Sequence, residues 1–193
     1  MQKVGSFQIE NGIIISDPCY DFNVDEYNRS SDQKYFPKKY IMTGEWNGYV
    51  KYCDNGRIAE LQTCHSSIDD NELTNAKWEL CKGSLGVDTG QMGVFDSKYF
   101  KDDNIVGDYP IDKSMFNDFK EKGDRYYAMC CYQTYNKENP KKQAGIIPYG
   151  VVSSSGYGDG SYNYSVIKKN GLICGFKIVF IDSDECSNSD CSF

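Results

Sequence analysis

The sequence predicts a single mainly β domain (β-rich α+β), an antiparallel sheet or sandwich with one short helix around residues 112–122. Three observations lead to this prediction. Tyr and Phe, which suit pleated surfaces, supply 16 and 10 of the 193 residues, whereas the strong helix formers Ala and Leu are scarce. Short apolar runs recur along the chain, and Gly, Asn and Asp separate them. Residues 1–181 are expected to form the domain, and residues 182–193 a polar, flexible tail.

The N-terminal third contains two hairpin signals. The stretch KVGSFQIENGIIISD predicts two short strands around Asn11-Gly12, a dipeptide typical of hairpin turns. Residues 46–52 and 57–65 predict a second hairpin around the Asp-Asn-Gly turn at 54–56. The polar segment between the two hairpins predicts an irregular loop.

The middle of the chain combines short strands with the predicted helix. Two apolar pieces flank the linker DTGQ in SLGVDTGQMGVFD and predict two short strands. In DKSMFNDFKEKG, an apolar stripe of Met115, Phe116 and Phe119 predicts the helix, which Gly123 is expected to end. The following stretch, RYYAMCCYQTY, is rich in aromatic residues and predicts a strand.

The C-terminal third predicts three strands, AGIIPYGVVSS, SYNYSVI and LICGFKIVFI, the last two joined by a turn at Asn170-Gly171. The last strand is apolar on both of its alternating faces. A strand of this kind is typical of the centre of a sheet.

Composition and charge exclude several classes of function. The formal net charge is −7, and nucleic acids and anionic membranes both require a positive surface. No apolar run is long enough to cross a membrane, and the N-terminus shows no signal peptide. Nine cysteines without a CxxC pair favour reduced thiols in the cytoplasm and disfavour a zinc site. The sequence predicts no cofactor.

Candidate site residues follow the apolar strands in three motifs. SDPCYD contains Asp17, Cys19 and Tyr20, and VDTGQMG contains Asp88 and Gln91. In SSSGYGDGSY, glycines that let another group approach the backbone alternate with polar side chains. The residues of interest in this third motif are Gly156, Tyr157, Gly158, Asp159, Gly160 and Tyr162. The alternative interpretation is that each motif is an ordinary turn held by its own aspartate.

The same motifs carry a resemblance to a known family. DPCY, VDTGQMGVFD, and SSSGYGDGSY followed by NGLICGFKIVFI resemble, in the same order, elements of a family of small proteins in bacteria, their phages and other low-GC genomes. The resemblance spans residues 5–181, and SGYGDG-Y is its most specific element. It implies that one characteristic set of residues forms the site: Asp17, Cys19, Tyr20, Asp88, Gln91, Gly156, Gly158, Asp159, Gly160 and Tyr162. It implies no particular activity.

The preferred functional hypothesis is a non-catalytic binding module. The loops around Asp17, Asp88 and Asp159 would form a polar pocket walled by Tyr20, Tyr157 and Tyr162. Tyrosines offer both stacking faces and hydroxyl groups, which suit a small polar or nucleotide-like ligand. A protein partner is the other kind of occupant that the sequence allows.

Two alternatives stay open. The first is a hydrolase or transferase in which Cys19 is the nucleophile, His65, the only histidine, is the base, and Asp88 or Gln91 is the orienting or oxyanion-stabilising group. The second is a calcium or magnesium site formed by carboxylate oxygens. Its candidate ligands are Asp17, Asp88, Asp96 and Asp159.

Overall fold

The computed structural model describes residues 1–25, 27, 32–109, 111, 121–135 and 141–186. These residues form two antiparallel sheets with a few short helices, which confirms the predicted mainly β class. The strands are β1 (Gln2–Ile9), β2 (Ile13–Ser16), β3 (Lys34–Phe36), β4 (Gly44–Tyr52), β5 (Ile58–His65), β6 (Glu79–Leu80), β7 (Leu85–Val87), β8 (Gln91–Asp96), β9 (Ala144–Ile147), β10 (Gly150–Ser154), β11 (Gly160–Lys169) and β12 (Leu172–Val179). The helices are α1 (Asp70–Thr74), α2 (Asp124–Thr134) and α3 (Ser183–Cys186), with 3-10 turns at Lys38–Tyr40 and Asp103–Ile105.

The strands divide between a seven-stranded and a five-stranded sheet. The first sheet has the order β1-β4-β5-β12-β11-β6, with β7 also paired to β11. The second sheet has the order β3-β2-β8-β10-β9. Strand β12 lies between β5 and β11, as its two apolar faces predicted. The chain changes sheets between β7 and β8 and again between β10 and β11.

The main hydrophobic core lies between the two sheets. Trp46 and Phe176 of the first sheet are fully buried, and their rings stack with centroids 5.9 Å apart. Ile15 and Val94 of the second sheet belong to the same cluster. Full burial of a large apolar side chain contributes roughly 1.5–3 kcal/mol, so this interface is the main source of the fold's stability.

The outer face of the second sheet packs against α2. Phe95 and Val152 of this sheet form a second cluster with Tyr126 and Met129 of the helix. Strand β2 is buried on both faces, because Ile13 and Ile15 belong to the core between the sheets and Ile14 belongs to the cluster with α2. Helix α2 therefore covers the outer face of the second sheet.

The prediction of a strand at RYYAMCCYQTY is wrong, because these residues form most of α2. Tyr126, Met129, Cys130 and Gln133 are buried at the i, i+3, i+4, i+7 spacing of one helix face. The Asp103 carboxylate accepts hydrogen bonds from the backbone N–H groups of Gly123 and Tyr126, at 2.8 and 2.9 Å, and so caps the first turn. Packing and this capping by a distant residue override the β-type composition.

The prediction of a hairpin at Asn11-Gly12 is also wrong. The strands β1 and β2 exist, but they belong to different sheets, so the dipeptide connects the two layers. The Asp96 carboxylate fixes this crossing by accepting hydrogen bonds from the N–H groups of Glu10 and Asn11, at 2.6 and 2.9 Å.

The predictions for the remaining hairpins are closer to the structure. The hairpins β4–β5 and β11–β12 are confirmed, and Asn170 and Gly171 both have positive φ, at 54° and 80°. The single strand predicted for AGIIPYGVVSS is a hairpin, β9–β10, because the chain turns at Pro148-Tyr149.

The predicted helix around 112–122 lies largely outside the described residues, and Gly123, its predicted end, precedes α2 with φ of 91°. The predicted tail begins with α3, and a disulfide joins Cys186 to Cys53. This bond contradicts the expectation of reduced thiols for these two cysteines. Among the described residues, none of the helices has both the length and the apolar character needed to cross a membrane.

Candidate functional site

The Asp17 carboxylate joins the end of β2 to the loop between β7 and β8. Its Oδ2 accepts hydrogen bonds from the N–H groups of Asp88 and Thr89, at 2.9 and 2.8 Å. Its Oδ1 accepts from the Thr89 hydroxyl at 2.6 Å and from the Cys19 N–H at 3.0 Å. Asp17 is fully buried, so these four donors replace the water that a carboxylate otherwise requires. Asp17 therefore holds the site together and is not accessible to a ligand.

The SSSGYGDGSY loop contacts the same loop between β7 and β8 that Asp17 contacts. The Asp159 Oδ1 accepts a hydrogen bond from the Gly90 N–H at 3.0 Å. The Ser155 N–H donates to the Gly90 carbonyl oxygen at 2.9 Å. The loops of Asp17, Asp88 and Asp159 thus meet at one end of the sandwich, where the chain changes sheets twice.

The glycines of this loop are required by its own backbone. Gly156 has φ of 67°, and a Cβ at this position would lie 3.0 Å from the Ile58 carbonyl oxygen. Gly158 has φ of 112°, which side chains rarely allow. Gly160 begins β11 and pairs with Val87. At Gly156 the close approach is therefore made by the protein itself, whereas a Cβ at Gly158 would meet none of the described residues within 4 Å, so the φ alone requires glycine there.

The aromatic residues of the three motifs also have internal partners. The Tyr162 hydroxyl donates to the carbonyl oxygens of Gly158 and Ser155, at 2.6 and 3.0 Å. Tyr157 is 59% exposed, and the Arg57 guanidinium lies 5.0 Å from its ring centroid. Burial and a hydrogen bond to Asp88 raise the pKa of Tyr20 well above its usual value. These tyrosines brace the loops, and none of the three lines the cavity described below.

Gln91 connects the second sheet to α2. Its Oε1 accepts from the Thr134 hydroxyl at 2.8 Å, and its Nε2 donates to the Cys131 sulfur at 3.4 Å. Both ends of the amide are used, and Gln91 is buried. Its role is therefore to position the helix next to the loop that carries Thr89.

A cavity of about 610 Å³ opens beside Cys19, between the segment that follows β2, the segment that follows β8 and the start of α2. Its apolar wall consists of Phe22, Phe100 and Tyr127. Its charged groups are Asp21, Lys101, Glu121, Lys122 and Asp124. Of the predicted site residues, only Cys19 lines it, and the other eight lining residues were not predicted from the sequence. One sequence signal could have located the cavity. The stretch SKYFKDD directly follows the candidate strand MGVFD, just as the other candidate site residues follow their strands.

Lys101 is held in an unusual conformation in the wall of this cavity. Its φ is 60°, in the left-handed region that is costly for residues with a side chain. Its ammonium donates to the Cys19 carbonyl oxygen at 3.2 Å and lies 3.2 Å from an Asp21 carboxylate oxygen. Its stem packs so closely on Gly123 that a Cβ there would overlap Lys101 Cε. The surrounding structure therefore fixes where this charge lies.

Cys19 and His65 do not form the predicted catalytic pair. The His65 ring contacts the Ser67 hydroxyl and the Thr43 carbonyl oxygen, at 2.8 and 3.1 Å. Strand β5 separates His65 from the three motifs. Its first residue, Ile58, contacts the SSSGYGDGSY loop, and its last residue is His65. Seven residues of extended chain span roughly 23 Å, so His65 lies about that far from the loop. Burial, followed by the charge of Asp17, raises the pKa of Cys19 to about 12. This thiol is therefore protonated at neutral pH and is a poor nucleophile.

The aspartates suggested as metal ligands serve other partners. Asp17 and Asp159 accept hydrogen bonds from backbone N–H groups, and Asp96 accepts from the N–H groups at both Asn11 and Lys98. Asp88 is hydrogen-bonded to Tyr20. N–H groups pointing at an oxygen oppose a cation there. No group of three or more His, Cys, Asp or Glu side chains in the described ranges is arranged to hold a metal ion.

Comparisons with known proteins add no relative. No family model, no curated protein and no solved structure matches the chain. The resemblance carried by DPCY, VDTGQMGVFD and SSSGYGDGSY therefore stays an expectation.

Proposed function

We propose that the protein is a non-catalytic binding module and that the cavity beside Cys19 holds a small polar ligand, no larger than a nucleotide. The observation that carries this proposal is the cavity of about 610 Å³ with Lys101 fixed in its wall at positive φ. Pockets for small molecules have volumes of about 300–1,000 Å³. Backbone strain held in place by the surrounding structure is common at binding sites.

The loops that carry Asp17, Asp88 and Asp159 lie next to the cavity and position part of its lining. Thr89, which donates to Asp17, is also hydrogen-bonded to Tyr127 in the cavity wall. The carboxylate cluster therefore positions two lining residues, because Asp17 also accepts from the Cys19 N–H. This explains why the predicted motifs lie next to the cavity, with Cys19 alone among the predicted site residues in its lining.

Two observations favour binding over catalysis. The raised pKa of Cys19 leaves almost no thiolate at neutral pH. The only histidine, His65, lies at the end of β5 that is far from the SSSGYGDGSY loop. The formal net charge of −7 favours a small molecule or a protein over nucleic acid as the partner.

The proposal is tested by mapping where small polar probes bind. Benzoate, phenyl phosphate, benzylamine, phenylalanine and adenosine monophosphate are titrated separately into ¹⁵N-labelled protein, and backbone amide shifts are followed. We expect at least one probe to shift residues 19–22, 100–101 and 121–127 together. Cys19→Leu, which extends a side chain into the cavity, should remove these shifts, whereas Cys19→Ser should keep them. Shifts confined to other surfaces, no shifts with any probe, or shifts that Cys19→Leu leaves unchanged would overturn the proposal.

A further inference from the structure

We propose that the cavity selects a ligand with an anionic group, a carboxylate or a phosphate, attached to a small apolar body. This inference rests on the proposed function, since it names the ligand class of the same cavity. It is carried by the burial of Lys101 relative to its partner Asp21, by the hydrogen-bond donors of the Lys101 ammonium and by the apolar side chains of the cavity.

The Lys101 ammonium lies deeper in the cavity wall than the carboxylate of its ion-pair partner, Asp21. The side chain of Lys101 is 15% exposed, whereas that of Asp21, its ion-pair partner, is 95% exposed. An exposed, solvated carboxylate gives little stabilisation to a partner charge. An anion that enters the cavity would meet the Lys101 ammonium where water is scarcer and Coulomb attraction is stronger.

The acidic groups of the wall are less available to a ligand. One carboxylate oxygen of Asp124 accepts a hydrogen bond from the Glu121 N–H at 2.7 Å. Glu121 itself is exposed, as is Asp21. A ligand cation would therefore meet two solvated carboxylates, Asp21 and Glu121, and one partly buried carboxylate, Asp124, that already accepts a hydrogen bond.

The Lys101 ammonium itself supplies the hydrogen-bond donors. It carries three N–H groups and has two partners, the Cys19 carbonyl oxygen and an Asp21 carboxylate oxygen, each at 3.2 Å. A carboxylate or phosphate oxygen of a ligand can accept from the same ammonium in a charge-assisted hydrogen bond.

The apolar side of the cavity is also preorganised. The Phe22 ring lies 5.3 Å from that of Tyr35, and the Phe100 ring lies 5.1 Å from that of Phe95, centroid to centroid. Rings fixed in this way offer an apolar surface without a further loss of side-chain entropy on binding. The ligand body that matches them is aromatic or aliphatic.

The experiment compares affinities among the probes and between variants. We expect benzoate or phenyl phosphate to bind more tightly than benzylamine, and the stronger of the two acids identifies the preferred anion. Lys101→Met keeps the length of the side chain and removes its charge, so it should weaken binding of that acid about tenfold or more. Lys101→Arg should keep most of the affinity, and Lys82→Met, at an exposed lysine outside the cavity, should have no effect.

The outcomes separate this inference from the proposed function. Benzylamine bound in the cavity more tightly than either acid would overturn the inference and leave the binding function standing. If Lys101→Met binds the acid with the affinity of the unmodified protein, the inference is also overturned and the binding function also stands. If Lys101→Met does not fold, the ranking of the acids against benzylamine on the unmodified protein decides. If no probe binds in the cavity, both proposals fail.

Discussion

The Asp17 carboxylate accepts two hydrogen bonds from Thr89, one from its N–H at 2.8 Å and one from its hydroxyl at 2.6 Å, across 72 positions of sequence. With the N–H groups of Asp88 and Cys19, these bonds fix the two segments against each other. The buried Asp17 side chain thus fixes the relative positions of two segments that are distant in sequence and lie beside the cavity.

Asp17→Asn should therefore be strongly destabilising. An amide in this position removes the negative charge and points at least one N–H toward donors that then lack an acceptor. Each buried donor left without a partner costs about 1–3 kcal/mol, so the free energy of unfolding should fall by about 3 kcal/mol. Urea denaturation measures this loss. Asp159→Asn, at an exposed carboxylate with one such bond, serves as the control and should cost less than about 1 kcal/mol. Equal losses in the two variants would contradict the role of Asp17.

The sequence could predict most strands, because the alternation of apolar residues reflects burial directly. It predicted the pairing of neighbouring strands in the hairpins β4–β5 and β11–β12, but not the division of the strands between the two sheets. Asn11-Gly12 is an ordinary hairpin signal, yet Asp96, far along the chain, fixes this dipeptide as a crossing between sheets. Helix α2 was missed because its aromatic composition favours a strand, whereas capping by Asp103 and packing on the second sheet decide the outcome.

The candidate site was predicted in part. The meeting of the Asp17, Asp88 and Asp159 loops is present, because each loop follows a strand that ends at the same end of the sandwich. The cavity was not predicted. It depends on the left-handed backbone at Lys101 and on the absence of a side chain at Gly123, and neither leaves a pattern in the surrounding residues.

Cys19 should react unusually slowly with iodoacetamide. A pKa of about 12, against an ordinary value of 9.0, leaves about a thousandfold less thiolate at pH 8. The alkylation rate should keep rising well above pH 9, whereas in urea-unfolded protein it should level off near that pH. Mass spectrometry of the Cys19 peptide gives both rates. Fast alkylation of the folded protein at pH 7 would instead support the cysteine-enzyme alternative.

The same pKa shift predicts a loss of stability at high pH. The folded protein binds the Cys19 proton more tightly than the unfolded chain does. Its contribution to stability is therefore fully present below pH 9 and is lost as the pH rises toward 12. Cys19→Ser, which has no thiol to ionise, should show a smaller decrease in the free energy of unfolding between pH 9 and pH 11.

Lys101→Gly and Lys101→Val should differ in stability although both remove the ammonium. Glycine adopts a φ of 60° without strain, whereas a β-branched residue is a genuine outlier there. We expect the glycine variant to be more stable by about 1–2 kcal/mol in urea denaturation. Comparing the two variants cancels the lost ion pair, and the larger chain entropy that glycine loses on folding works against the expected order. A valine variant more stable than the glycine variant would contradict strain at position 101.

The disulfide between Cys53 and Cys186 should make stability depend on reductant. It closes a loop across 133 positions, and in the chain-entropy model a loop of this size gives about 4–5 kcal/mol. Dithiothreitol should lower the melting temperature of the native protein and leave that of the Cys53→Ser/Cys186→Ser double variant unchanged. Thiol titration of the unreduced, denatured chain should find two fewer thiols than the nine cysteines. Nine free thiols in protein purified without reductant would restore the expectation of a fully reduced chain, and the C-terminal segment would then be attached to the β4–β5 turn by packing alone.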